Sequence, residues 1–239
     1  MPRNSGAAAP PGIDLVVFDC DGVLVDSEVL ACRAVVDTLL AFGHAVPVES
    51  IAERFTGVSN KDMYAALAED IGGPLPEEFD SAMKRCALDL FERELVAIAG
   101  LAMVLPRLAV AKCVASSSLP DDIVWKLRRT NLLRWFPTSA IFSTALVPRG
   151  KPAPDIFLHA AEKMGTSPAR SIAIEDSAPG VAAAKAAGMT TFGFTGGSHC
   201  RPRHEARLKA AGADLVFADM RELPGLIAAR GPSVSGRPP

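Results

Sequence analysis

Two aspartates stand two positions apart where an apolar run ends, in Val16-Val17-Phe18-Asp19-Cys20-Asp21-Gly22-Val23. Alternate residues of a strand share a face, so the two carboxylates crowd and repel unless something compensates them. A hard divalent cation held by carboxylate and carbonyl oxygens does so, and Mg2+ is the usual choice beside phosphate groups. The alternative is an acidic turn in which Asp19 or Asp21 caps a helix. Three distant segments bear on that choice.

Val114-Ala115-Ser116-Ser117-Ser118 puts hydroxyls directly after a second apolar run, where a hydroxyl and main-chain N–H groups can hold a phosphoryl oxygen. Arg149-Gly150-Lys151-Pro152-Ala153-Pro154-Asp155 sets a lysine in a Gly/Pro-restricted loop ahead of a helical pattern. Ala173-Ile174-Glu175-Asp176-Ser177 brings two more acids to the end of an apolar run. Singly, these read as a turn, an exposed lysine and a helix cap. Together they supply carboxylates, a hydroxyl and a cation at strand ends, the inventory of a metal-assisted phosphoryl-transfer centre.

Such a centre needs strands that end side by side. Short continuous apolar runs recur at 15–18, 113–115, 172–174, 191–194 and 215–217, the pattern of strands buried on both faces. Helical patterns lie between them, at 121–130, 154–164 and 178–187. Ser177 is placed to cap the last, with Pro179 in its first turn and Gly188 just beyond its end. The alternation predicts an α/β fold, a doubly wound parallel sheet, in which ligands bind outside the carboxyl ends of the strands. Residues 27–98 break the rhythm with helices punctuated at Pro47, Gly57, Gly72-Gly73-Pro74 and Pro76. This interval is expected to form a small all-helical second domain. It would be inserted into a core of residues 13–26 and 99–229, with loose tails at 1–12 and 230–239.

The 239 residues are 49% hydrophobic and 22% charged, with a net charge of −2. That excludes a disordered or fibrous chain and offers no strongly basic surface for nucleic acid. No apolar run reaches the ~18–20 residues of a membrane span; the stretch 101–115 is broken by Pro106, Arg107 and Lys112. The first twelve residues lack the apolar segment of a signal peptide. Cys20, Cys32, Cys86, Cys113 and Cys200 form no CxxC pair and are odd in number, as suits reduced thiols in a cytoplasmic chain. His44, His159, His199 and His204 match no motif and are expected on helix or loop surfaces. Arg201, Arg203, Arg207 and Lys209, set against Glu205, read as a solvated helix face. Trp125 and Trp135 read as core anchors.

The order DxDG, Ser after a strand, GKPxPD and EDS resembles the haloacid dehalogenase superfamily of aspartate-nucleophile phosphatases, over nearly the whole chain. Asp26-Ser27-Glu28 and the helical insertion are similar to the branch with a small helical cap, which includes sugar-phosphate phosphatases and β-phosphoglucomutases. Residues 18–28, Arg54-Phe55-Thr56-Gly57 and Phe91-Glu92-Arg93-Glu94-Leu95 look most like its 6-phosphogluconate phosphatases. The resemblance implies a Mg2+-dependent hydrolase of a small phosphorylated metabolite, a monomer or a weak dimer.

By that resemblance Asp19 is the nucleophile that forms an aspartyl-phosphate. Asp21 is the acid for the leaving oxygen and then the base for water, and so is expected to be protonated when substrate arrives. Mg2+ would be held by Asp19, the Asp21 main-chain carbonyl and Asp176, with Glu175 directly or through water. Ser116 and Lys151 would hold phosphoryl oxygens. Ser117 and the Cys20 main-chain N–H would face the substrate, the Cys20 thiol only packing, and Gly57, Val58, Ser59, Asn60 and Lys61 would meet the sugar. The alternative is a phosphosugar mutase. Where that mutase carries a histidine, an arginine and a Lys-Asn pair, this chain has Ala31, Asn60 and Leu119-Pro120. It therefore has fewer cations to grip a bisphosphate, although Lys61 beside Asn60 could substitute in part.

Overall fold

The structure, a computed structural model, describes residues 12–55, 58 and 60–230. Leu15–Phe18 (β1) contains no polar residue and is buried throughout, as a strand covered on both faces must be. Among the described residues five strands follow in chain order: β2 (Ala111–Ser116), β3 (Ile141–Ser143), β4 (Ser171–Glu175), β5 (Thr190–Phe194) and β6 (Leu215–Phe217). All pair in parallel, in the spatial order β3-β2-β1-β4-β5-β6. The α/β class and parallel sheet expected from the apolar runs are observed. The sequence reading lacked β3, a strand of three residues between short 3-10 turns whose apolar run is too brief to stand out.

The register sets up the site. Phe18 lies opposite Val114 of β2 and Ile174 of β4, so Asp19, Ala115 and Glu175 emerge level at the carboxyl edge. The chain leaves β1 for β2 on one side and returns to β4 on the other, which makes this edge a topological switch point. Successive side chains pass to opposite faces. Val16, Phe18, Val114, Ile172 and Ile174 join one apolar cluster, while Leu15, Val17, Cys113, Ala115 and Ala173 join another. Phe18 meets Phe136 edge-on, ring centroids 5.9 Å apart.

Among the described residues the insertion after β1 carries four helices, α1 (Glu28–Ala41), α2 (Val48–Phe55), α3 (Asn60–Asp70) and α4 (Phe79–Glu94). They bury a cluster of their own around Cys32, Val35, Leu39, Ile51, Leu67 and Phe79. Six more helices follow among the described residues: α5 (Leu101–Val104), α6 (Pro120–Arg129), α7 (Asp155–Lys163), α8 (Ala178–Ala186), α9 (His204–Ala210) and α10 (Leu223–Ala228). α6 covers the first sheet face with Ile123 and Leu127, and α7 and α8 cover the second with Ile156, Phe157, Ala160, Ala183 and Ala184. The Ser177 Oγ caps α8 by accepting from the Gly180 N–H at 3.1 Å, and Gly188 follows with φ +81°, as the sequence predicts.

Trp125 and Trp135 pack half-buried against the first cluster. None of the five cysteines forms a disulfide. Among the described residues no helix is long and apolar enough to cross a membrane. Gly57 and Ser59 lie outside the described residues, as do the expected tails apart from Gly12 and Arg230.

Candidate active site

Lys151 organises the floor of the site. Its Nζ donates to Asp19 Oδ1 at 2.8 Å, to Glu175 Oε1 at 2.6 Å and to the Ala115 carbonyl at 3.1 Å. Burial alone would favour the neutral amine, but Asp19 and Glu175 win and hold the ammonium form. The loop carrying Lys151 is tied at its start by an Arg149–Asp155 ion pair of 2.7 Å. On the other side of Glu175, Ser177 Oγ donates to Oε2 at 3.1 Å. A β-carbon at Gly180 would lie 2.0 Å from that same Oε2, so only glycine fits there.

Asp19, Glu175 and Asp176 each bring a carboxylate oxygen within 4.8 Å of the others. Burial raises Asp19, to about 7; Lys151 pulls it down again, while Glu175 and Asp21 push it up. Burial and then Asp19 raise Asp176 well above the carboxylate range, and burial raises Glu175. Three buried acids thus share one ammonium. The uncompensated charge and the all-oxygen donor set fit a hard divalent cation. Both Glu175 oxygens are already engaged by Lys151 and Ser177, which leaves Asp19 and Asp176 as the carboxylates more open to an ion.

Asp21 sits in a second cluster. It accepts from Lys126 Nζ at 2.6 Å, Ser27 Oγ at 2.6 Å and Ser118 Oγ at 2.7 Å. Burial pushes this carboxyl up, but Lys126 and the two serine donors outweigh it and hold Asp21 below its ordinary value. In this arrangement Asp21 is a carboxylate, because a buried ammonium is its neighbour; the proton expected on it belongs to the step in which substrate arrives. Sequence reasoning missed Lys126. Its signal was its place between Ile123 and Leu127 on the buried stripe of α6, where a lysine needs a partner. Ser118, which also accepts from Lys126 at 3.1 Å, was seen only as part of a serine run.

The expectation that His199 and His204 lie at the surface also fails. Both are buried. His199 Nε2 lies 3.0 Å from Asp176 Oδ2, and His204 Nε2 donates to the Asp176 carbonyl at 2.5 Å. Two glycines make this possible. A β-carbon at Gly22, which has φ +74°, would meet Asp176 Oδ2 at 1.9 Å, and one at Gly197 would meet His199 Cε1 at 2.7 Å. Ser198 completes the strap, donating through N and Oγ to Asp26 Oδ1 at 3.0 and 2.8 Å. His204 was legible from its i, i+4 spacing to Leu208, the other buried residue of α9. His199 left only the Gly196-Gly197 pair as a trace. Arg201, Arg203, Arg207 and Lys209 are exposed, as expected. His44 is half-buried, and so is His159, whose ring packs on Phe142 at 5.5 Å between centroids.

These groups line a cavity of about 740 Å³ between the sheet edge and the helical insertion. Asp19, Asp21, Ser116, Ser117, Lys151 and Asp176 form its core side. Ala31, Val58 and Asn60 from the insertion and Leu119 also face it. Ser116 is buried and its Oγ accepts from the Ser118 N–H at 3.1 Å. Lys61, expected to meet the sugar, is exposed and does not line the cavity. Cys20 is closed into the apolar cluster, where burial raises its thiol far above the usual range. Glu28 lines the cavity unforeseen. Burial and the nearby Asp176 and Asp21 raise it to about 8.

The family model for haloacid dehalogenase-like hydrolases matches residues 13–188. The 6-phosphogluconate phosphatase of Escherichia coli strain K12 is 31% identical over 220 residues, covering 92% of this chain and 96% of that protein. A conserved haloacid dehalogenase-like protein of Agrobacterium tumefaciens strain C58 superposes with a TM-score of 0.84 at 38% identity, covering 91% of this chain and 99% of that one. A haloacid dehalogenase family hydrolase of Deinococcus radiodurans R1, solved with bound phosphate and sodium, superposes with a TM-score of 0.79 at 31% identity, covering 95% and 100%. With the acid pair, the serine, the lysine and the second acid pair gathered at one sheet edge, the chain belongs to the haloacid dehalogenase-like hydrolases.

Proposed function

We propose that this hydrolase is a Mg2+-dependent phosphatase of a small phosphorylated metabolite, a sugar phosphate, with 6-phosphogluconate the first candidate. One observation carries the reading: the Asp19 carboxylate stands at the cavity floor with one oxygen on Lys151 and Asp176 beside it. The 6-phosphogluconate phosphatase relative supports the substrate class. Mg2+ bound by Asp19, Asp176 and the Asp21 carbonyl would screen the phosphate from the carboxylates and steady transition-state charge.

Asp19 attacks phosphorus, so that an Asp19 oxygen–phosphorus bond forms as the ester phosphorus–oxygen bond breaks. The leaving oxygen takes a proton from Asp21. Asp21 is ionised in the arrangement seen, so it takes that proton from solvent as the anionic substrate arrives. It then takes a proton from the water that hydrolyses the aspartyl-phosphate. Ser116 and Lys151 hold phosphoryl oxygens. The insertion of residues 27–98 acts as a cap that excludes bulk water, moving on hinges near Asp26 and Ala99-Gly100.

The test is a panel of phosphate esters, 6-phosphogluconate among them, assayed for released phosphate with Mg2+ and with excess EDTA. Release from at least one sugar phosphate, silenced by EDTA, is expected. Full release in EDTA would overturn the metal assignment, and no release from any ester would overturn the phosphatase reading.

A further inference from the structure

We propose that His199, Cys200 and His204 form a second metal site, one for a thiophilic divalent cation such as Zn2+, and that filling it disables Asp176. The three residues offer two imidazoles and one thiol, with donor atoms within 4.8 Å of one another. His199 Nε2 and Cys200 Sγ are 3.4 Å apart. Zinc bonds of ~2.0–2.1 Å to nitrogen and ~2.3 Å to sulfur at a tetrahedral angle put those atoms about 3.5 Å apart. A nitrogen–sulfur set selects zinc-like ions, whereas the oxygen set of Asp19, Asp176 and Glu175 selects hard ones.

The protons can be accounted for. His204 holds its proton on Nε2, which donates to the Asp176 carbonyl, so the Nδ1 lone pair is left for a metal. His199 now shares Nε2 with Asp176 Oδ2, and its Nδ1 is buried without a hydrogen-bond partner. Binding at Nε2 moves the His199 proton to Nδ1 and keeps the ring neutral, the form a metal requires. Cys200, its thiol pushed up to about 12 by burial and then by Asp176, releases its proton to solvent as the sulfur–metal bond forms. His199 and His204, though not Cys200, line a separate cavity of about 540 Å³ that gives access from solvent; Glu49 and Glu53 of α2 lie on its other wall, and Arg201, Arg203 and Arg207 line it as well.

The consequence follows from one shared atom. His199 Nε2 cannot both donate to Asp176 Oδ2 and bind a metal. Occupation of the second site therefore removes the contact that orients the Asp176 carboxylate, and ligand-orienting contacts of this kind are worth roughly 10–100-fold in metal affinity or activity. This effect on turnover rests on the phosphatase reading; binding itself does not.

The experiment titrates Co2+ into the full chain with Mg2+ present and follows absorption, while Zn2+ is titrated against phosphate release. A sulfur-to-cobalt charge-transfer band at one equivalent is expected in wild type and in Cys86→Ser, and its loss in Cys200→Ser. Cys200→Ser should keep wild-type turnover with Mg2+ and need at least about tenfold more Zn2+ for half-inhibition. A band that persists in Cys200→Ser, or no band at all, overturns the site. A band lost in Cys200→Ser without any zinc effect on a working enzyme overturns the link to Asp176. A cobalt band in a chain that releases no phosphate supports the site and overturns only the phosphatase reading.

Discussion

The Lys126 ammonium lies 2.6 Å from the Asp21 carboxylate, although 105 positions separate them in the chain. The pair is largely shielded from water, and the interaction decides the protonation state of the proposed acid-base residue. Lys126→Met should remove the strongest influence that holds the Asp21 carboxyl down, leaving only Ser27 and Ser118 to oppose burial, and so raise it. The limb of the kcat/KM profile that reports Asp21 should move up accordingly, and Lys126→Arg should largely restore it. An unmoved limb in Lys126→Met would mean that Lys126 only fills space. The methionine variant also strands a buried charge, at a cost of about 3–5 kcal/mol of stability.

Why the sequence yielded Asp21 but not Lys126 is a matter of contrast. Asp19, Asp21, Glu175 and Asp176 each follow an uninterrupted apolar run, so strand and site are read from the same residues. Lys126 stands among Arg128 and Arg129 and takes its meaning only from a partner on another element. His199 and His204 acquired theirs from Asp176, and no local pattern predicts a contact made across strands. β3 failed for a different reason, because three residues cannot display a period.

The raised carboxyls predict an unusual dependence of stability on pH. Burial raises Asp19 to about 7 and Glu28 to about 8, both above their unfolded values. The folded state then binds more protons than the unfolded state below those values, so stability falls as pH rises through them. In EDTA, thermal midpoints should rise by several degrees between pH 8 and about 6.5. Below that range His199 and His204, which burial pushes down, begin to oppose the trend. Saturating Mg2+ should flatten the rise by replacing protons at Asp19. Differential scanning calorimetry decides it: a midpoint that drops on acidification across this window in EDTA would contradict the assigned shifts.

Asp19→Asn keeps the size of the side chain and its place over Lys151 but removes the nucleophilic oxygen. Phosphate release should fall by ~10³-fold or more, as for other covalent nucleophiles, with an unchanged circular dichroism spectrum. Trapping with acid after brief exposure to a hydrolysed ester should show phosphate on the wild-type chain and none on the variant. Turnover near the wild-type rate would remove Asp19 from the chemistry.

Hydrolysis and mutase action part at the fate of the aspartyl-phosphate. A phosphatase admits one water in line with it, whereas a mutase holds it until a second sugar hydroxyl arrives and must grip both ends of a bisphosphate meanwhile. Ala31, Asn60 and Leu119 line the cavity and bring no charge to it; Lys61 is exposed outside its lining, and Lys84 of α4, the cation of the insertion that does line it, is paired with Asp80 at 2.7 Å. The buried Lys126 is already committed to Asp21. Hydrolysis should therefore dominate. Given β-glucose 1-phosphate with a trace of the 1,6-bisphosphate, the enzyme should release inorganic phosphate at least as fast as it forms glucose 6-phosphate. Stoichiometric glucose 6-phosphate with negligible phosphate release would make the mutase reading correct. In that case Lys126 would be the first residue to test for a grip on the distal phosphate, since it is the only other ammonium in contact with a proposed catalytic carboxylate among the described residues.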